Sequence, residues 1–310
     1  MSVLDVLAAF LLINNIASPL LMLSRANIMF AEAKAAAADL IYFFNLAESP
    51  VAGGKEDPAD TSIELDNLGF SYVEGIPVLT DIDAIFQAGS VTAVVGPSGF
   101  GKSTLASLIP RLLDPTVGTV RIGGVASTDL TYDQLYDRVG FVFQNSYLMR
   151  LSVRDNIRLA SPEASDEDVI RAARAAQIHE RITKLPRGYD SIRGEDAQFS
   201  GGEQQRLAIA RSILLDAPIL VLDEATAFAD PDSEAAIQQA ISQLVVGRTF
   251  VVIAHRLHTI TDADQILMLD DGKLTEVGTH KELLAAGNKY AKMWQRYQNT
   301  QTSSYEETIE

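Results

Sequence analysis

Cysteine is absent from the sequence, and histidine occurs only 4 times in 310 residues. Such a chain offers no disulfide framework and no cysteine-based zinc site, although the lack leaves every cellular compartment open. Basic residues are also scarce: 25 lysines and arginines stand against 41 aspartates and glutamates, a net charge of -16. Sequence-independent nucleic-acid binding relies on basic surface, so that class of function is excluded. Apolar residues are plentiful at 47%, ordinary for a globular protein and ample for a core. The length allows one large domain or two small ones.

Val6–Leu23, VLAAFLLINNIASPLLML, runs 18 residues without a charge, the lower edge of what crosses a bilayer as a helix. A secretory signal would carry positive charge ahead of its apolar core, and only Asp5 stands there. Arg25 and Lys34 follow the stretch, so the positive-inside rule puts what comes next in the cytoplasm. Pro19 is tolerable in a membrane helix, whereas Asn14 and Asn15 are costly against lipid and suit a bundle interior or a transport cavity. A buried helix of a soluble domain would share much of this composition. The Ala-rich run 31–46 lacks Gly and Pro and extends the helix. ESPVAGGKEDPAD (48–60) reads as a linker.

From residue 61 the pattern alternates between strands and helices. Ile63–Leu68 alternates apolar and polar, and Phe70, Tyr72 and Val73 prolong the β signal. Short apolar runs follow at 79–86, 91–95, 120–124, 139–144, 219–222 and 249–254. Helical patterns occupy 152–184, 200–215, 232–245 and 280–298, and Pro110 should end or kink the helix that begins near residue 102. Asp271-Gly272 between two apolar runs predicts a hairpin, and 299–310 a frayed polar tail. Continuous apolar strands alternating with helices predict a mostly parallel sheet covered on both faces.

Two stretches carry chemistry. Gly96-Pro97-Ser98-Gly99-Phe100-Gly101-Lys102-Ser103 follows a buried strand, opens a helix through Thr104, and fits G-x-x-x-x-G-K-[ST]. Its backbone N–H groups and helix dipole would cradle phosphates, Lys102 would reach the β/γ-phosphates, and Ser103 would take one Mg²⁺ position. The strand Ile219–Leu222 ends in Asp223 and Glu224. A carboxylate at that edge suits a phosphate-bound Mg²⁺, leaving Glu224 to polarise the attacking water.

Phe199-Ser200-Gly201-Gly202-Glu203 opens another helix and offers a second anion site without a lysine. With this motif the sequence resembles the ATP-binding cassette (ABC) family over residues 62 to about 298, its LSGGQ signature standing here as FSGGE. The resemblance implies an α/β fold: a P-loop NTPase ABC cassette with a RecA-like, mostly parallel sheet, an antiparallel β subdomain and an α-helical subdomain, preceded by one long transmembrane helix. It implies a membrane helix and extension at 1–47, a linker at 48–60, the cassette at 61–298 and a tail at 299–310. ATP and Mg²⁺ are the implied ligands. Tyr72 would stack on adenine, Gln144 would touch Mg²⁺ and water, and His255 would contact the γ-phosphate. Glu195 would face the coupling helices, and Asp230 would end the loop that crosses to the partner. Ser200, Gly201 and Gly202 would meet the ATP of a second cassette, so the ATPase would work as a homo- or heterodimer.

Ala227-Phe228-Ala229-Asp230 replaces the usual Ser-Ala-Leu-Asp and resembles a subgroup that handles iron–siderophore complexes. The N-terminal helix looks like the sixth of an exporter-type half-transporter, with five missing through a truncated or misannotated reading frame or excision of a C-terminal piece. The implied place is the plasma (inner) membrane, with the cassette on the cytoplasmic side and membrane-domain helices as further partners.

Overall fold

The computed structural model describes residues 3–45, 54, 56–144, 146–223, 231–254 and 260–306. Two compact units emerge, residues 1–50 and 51–310.

The first unit is α1 (Val3–Phe44), a single helix of 42 residues that continues through Pro19. At 1.5 Å per residue it is about 60 Å long. Apolar side chains are exposed on every side of it, Phe10, Leu11, Leu12 and Ile13 in succession among them. A helix apolar all round belongs in a large core or a bilayer. By length and composition, α1 is sufficient to cross a membrane. The Asn15 amide does not go unpaired: it donates to the Leu11 carbonyl at 2.9 Å.

The second unit contains two sheets. β1 (Ile63–Phe70), β2 (Leu79–Phe86), β4 (Val117–Ile122) and β5 (Val125–Ala126) form an antiparallel sheet in the order β2-β1-β4-β5. Strict alternation along β1 would send Leu68 to the face opposite Ile63 and Leu65. A bulge with Asn67 at φ +46° resets the period, and all three are buried. The expected strand character of Tyr72 and Val73 stops short, because β1 ends at Phe70.

The larger sheet comprises β3 (Val91–Val95), β6 (Val139–Val142), β7 (Ile219–Asp223), β8 (Thr249–Ile253), β9 (Gln265–Asp270) and β10 (Lys273–Gly278). Its order is β10-β9-β3-β8-β7-β6; only the β9–β10 hairpin, turning at Asp271-Gly272, is antiparallel. Both faces are covered, as continuous apolar strands require. Val94 and Val221 pack with α2 (Lys102–Leu108) and the small sheet, while Leu220 and Leu222 pack into the helical layer. Ala93 and Val95 face Leu283 and Tyr290 of the C-terminal helices.

Helical residues 152–184 resolve into α4 (Val153–Arg158), α5 (Asp166–Ala175) and α6 (His179–Thr183), preceded in the chain by α3 (Tyr132–Tyr136). Ser152 caps α4, and Ser165 with Asp168 closes a capping box on α5, which explains the separate starts. The layer is completed by α7 (Gly201–Leu215) and α8 (Pro231–Val245). The single C-terminal helix predicted for 280–298 is two, α9 (His280–Ala286) and α10 (Lys289–Glu306), parted at Gly287. α10 runs through much of the stretch predicted as a frayed tail.

Candidate functional site

Parallel register decides what meets what. Val94 pairs with Ile253, Asp223 with Ile253, and Val142 with Leu222, so β3, β8, β7 and β6 end side by side. The loop 96–101, Asp223 and Gln144 therefore emerge at one carboxyl edge, where ligands of open α/β sheets bind. Gln144 lies two residues beyond β6 and is exposed. Glu224, Asp230 and His255, along with 227–229, lie outside the described residues.

The loop itself is shaped by its neighbours. Gly96 has φ +150°, and a Cβ there would stand 2.0 Å from the Leu269 carbonyl oxygen of β9. Pro97, Ser98 and Gly99 are exposed, whereas Phe100 is half-buried. Gly101 caps α2 without a side-chain acceptor, in contrast to α3, α4, α5, α7 and α9. Lys102 is buried, and its ammonium donates to the carbonyls of Gly96 at 3.0 Å and Pro97 at 2.9 Å. A cation is thus held across the loop's own mouth, where phosphate oxygens could replace the carbonyls as acceptors.

Ser103 Oγ donates to Asp223 Oδ1 at 3.1 Å. This hydroxyl and carboxylate, from an exposed Ser and a buried Asp, are hard oxygen donors at the end of β7. Among the described residues no cluster of three His, Cys, Asp or Glu could hold a metal alone. The Ser103–Asp223 pair fits Mg²⁺, which binds through one or two protein oxygens together with substrate phosphates. Tyr72 is exposed, packs edge-on against Phe70 at 4.8 Å and shares a 3.2 Å hydrogen bond with Thr104 on α2. An aromatic face is thereby fixed beside the phosphate loop.

Ser200, Gly201 and Gly202 stand in the helical layer, at the N-terminus of α7. Ser200 accepts from Glu203 N at 3.3 Å and donates its own N–H to Glu203 Oε2 at 2.9 Å, a capping box. Gly201 is exposed, and a Cβ there would meet nothing within 4 Å. Glu195 is half-exposed and pairs with Arg150 at 2.9 Å.

Two arginines escape sequence reasoning. Arg211, midway along α7, donates to Asn156 O at 2.6 Å, Asn156 Oδ1 at 2.9 Å and Tyr147 O at 3.1 Å. Asn156 in turn holds the carbonyls of Met149, Leu151 and Ser152. The segment from Tyr147 to Ser152 is thereby tied to α7, and desolvation pulls the Arg211 guanidinium below its usual pKa. Arg181 of α6 contacts Glu203. Neither contact follows a motif or a spacing; only the helical period of α7 hints that Arg211 faces the layer.

Residues 79–227 match the ABC transporter family model. The chain is 57% identical over 233 residues to the mycobactin import ATP-binding/permease protein IrtA of Mycolicibacterium thermoresistibile, which covers 75% of this chain and 26% of that protein. The protein of the same name from Mycobacterium tuberculosis is 51% identical over 245 residues, 79% of this chain and 28% of that one. A bacterial Atm1-family ABC exporter with ATP bound superposes with a TM-score of 0.78 at 36% identity, over 91% of this chain and 50% of the exporter. The chain thus spans little more than a quarter of the length of these curated relatives. It belongs to the ABC transporter family, of which it carries the ATPase cassette.

Proposed function

We propose that this chain is the motor part of an ABC transporter half, which binds ATP with Mg²⁺ and hydrolyses it when paired with a second cassette. The observation that carries the reading is the convergence at one sheet edge of the Lys102-bridged loop with the Ser103–Asp223 pair. In this reading Gly96–Thr104 wraps the phosphates, Lys102 exchanges loop carbonyls for phosphate oxygens, and Tyr72 stacks on adenine. Ser103, Asp223 and Gln144 would hold Mg²⁺, which when bound supplies positive charge to the phosphate oxygens. Glu224 acts as base toward the attacking water, and His255 meets the γ-phosphate. Ser200, Gly201 and Gly202 meet the ATP of the partner cassette through the Ser200 hydroxyl and the glycine N–H groups, with Asp230 at the crossing.

α1 is read as a transmembrane helix, and the cassette as lying on the cytoplasmic side of a plasma (inner) membrane. The structural likeness supports this, because its 91% share exceeds what residues 51–310 make up and so takes in part of α1. For cargo we infer an iron–siderophore, on two supports: the identity to proteins named for mycobactin import, and Ala227-Phe228-Ala229-Asp230. Glu224→Gln tests the motor. ATP binding by the full chain in detergent stays at the wild-type level while turnover falls by about a hundredfold or more, the usual scale for a lost catalytic base. Turnover near wild type would remove Glu224 from its role.

A further inference from the structure

An acidic residue at an anion-binding helix end is a conflict. Glu203 stands in the first turn of α7, three residues from Ser200, and its carboxylate closes the capping box. The helix dipole favours such an acid when nothing else is bound there. A phosphate arriving at the same N–H groups would be repelled by it. Its side chain is only 18% exposed, so solvent screens the charge incompletely.

The opposing charge comes from a different helix. Arg181 of α6 donates Nε to Glu203 Oε1 at 2.8 Å. The same guanidinium donates Nη2 to the Gln198 carbonyl at 3.0 Å and lies over the Phe199 ring, 5.8 Å from its centre. One side chain therefore grips the residues on both sides of Ser200-Gly201-Gly202. Glu203 splits its two oxygens between them, Oε1 to Arg181 and Oε2 to the Ser200 N–H. The carboxylate can thus cap the helix while its charge is balanced.

We propose that Arg181 is a positioning residue for the Ser200–Gly202 half-site, neutralising Glu203 so that the α7 N-terminus accepts the terminal phosphate of the ATP on the partner cassette. The inference rests on reading Ser200–Gly202 as that half-site. Arg181 touches no nucleotide itself and acts through Glu203 and the 198–199 backbone.

The test is steady-state ATPase of the full chain in detergent, for wild type, Arg181→Gln, Arg181→Lys and Arg181→Gln/Glu203→Gln, at low and high salt. Arg181→Gln raises KM for ATP about tenfold with a smaller change in kcat, the scale of one unbalanced charge at a helix end. The defect shrinks at about 1 M salt, where charges are screened within about 3 Å. Adding Glu203→Gln brings KM back to within about twofold of wild type, because no charge then needs balancing. Arg181→Lys, which keeps the charge and loses the planar fork, stays within about threefold. A double variant no better than Arg181→Gln, or a lysine variant equally impaired, would reduce Arg181 to a loop brace and overturn the proposal. Ser200→Arg separates the two levels. If it abolishes turnover while Arg181→Gln behaves as wild type, only the role of Arg181 fails. If Ser200→Arg turns over normally, or the wild-type chain has no ATPase, the half-site itself falls.

Discussion

Replacing Gly96 by alanine should damage the fold more than the ligand chemistry. A methyl carbon at Gly96 would stand 2.0 Å from the carbonyl oxygen of Leu269 and 3.0 Å from its carbonyl carbon. Contacts of that kind do not close below about 3 Å, so β3 and β9 would have to part by about 1 Å. They are locked by parallel pairing up to Val95 and Met268, with both faces of the sheet buried. Forcing an extra carbon into such a place costs about 1–3 kcal/mol, and the φ of +150° adds up to about 1 kcal/mol. A loss of about 3 kcal/mol lowers the melting temperature of a domain this size by about 6–12 °C. Gly99→Ala is the internal control: φ is +85° but nothing lies within 4 Å of the added carbon. It should cost about 1 kcal/mol and about 2–4 °C. Trp294, the sole tryptophan, packs against the cluster that holds Val95 and Met268, so its fluorescence reports the melt of this unit without interference from α1. A Gly96→Ala variant melting within about 2 °C of wild type, or Gly99→Ala falling further than Gly96→Ala, would refute the packing argument.

Two other perturbations probe separate parts of the molecule. Tyr72→Ala should weaken ATP binding about three- to tenfold, the value of one aromatic contact, while Tyr72→Phe keeps the ring and stays near wild type. Equal losses in an equilibrium titration would assign the role to the hydroxyl bonded to Thr104 instead. Burial pushes the phenols of Tyr189 and Tyr290 up to about 12, each bonded to a histidine ring. A folded-state value above the unfolded 10.0 means stability that is complete below pH 10 and drains as pH rises toward 12. Ultraviolet titration should show Tyr189 and Tyr290 ionising late, with unfolding; a uniform phenolate transition near pH 10 in the folded chain would contradict this.

Much of the arrangement was legible because the chemistry needs strand ends. Once Val91–Val95 and Ile219–Leu222 read as buried strands, the loop at Gly96 and the acid at Asp223 had to emerge at the same sheet edge. Asp271-Gly272 marked its hairpin for the same local reason. What hid was long-range or depended on one backbone dihedral. The bulge at Asn67 keeps Leu68 buried against its own alternation, and capping at Ser152 and Ser165 cuts one helical pattern into pieces. α10 continues through residues too polar to predict helix, its first part anchored by Tyr290 in the core. Arg181 and Arg211 act across 22 and 55 residues of sequence, and no motif records those distances.

The central claim is that a cassette of this chain holds two halves of different sites. Mixing two inactive full-length variants tests it: Lys102→Ala, which disables the phosphate loop, and Ser200→Arg, which blocks the half-site offered to a partner. In a mixed two-fold dimer both lesions fall in one composite site, and the other is intact. Random pairing should then restore turnover to about a quarter of wild type, where each variant alone has almost none. A mixture that forms dimers yet stays as inactive as its components, or wild-type turnover by Ser200→Arg alone, would contradict the account.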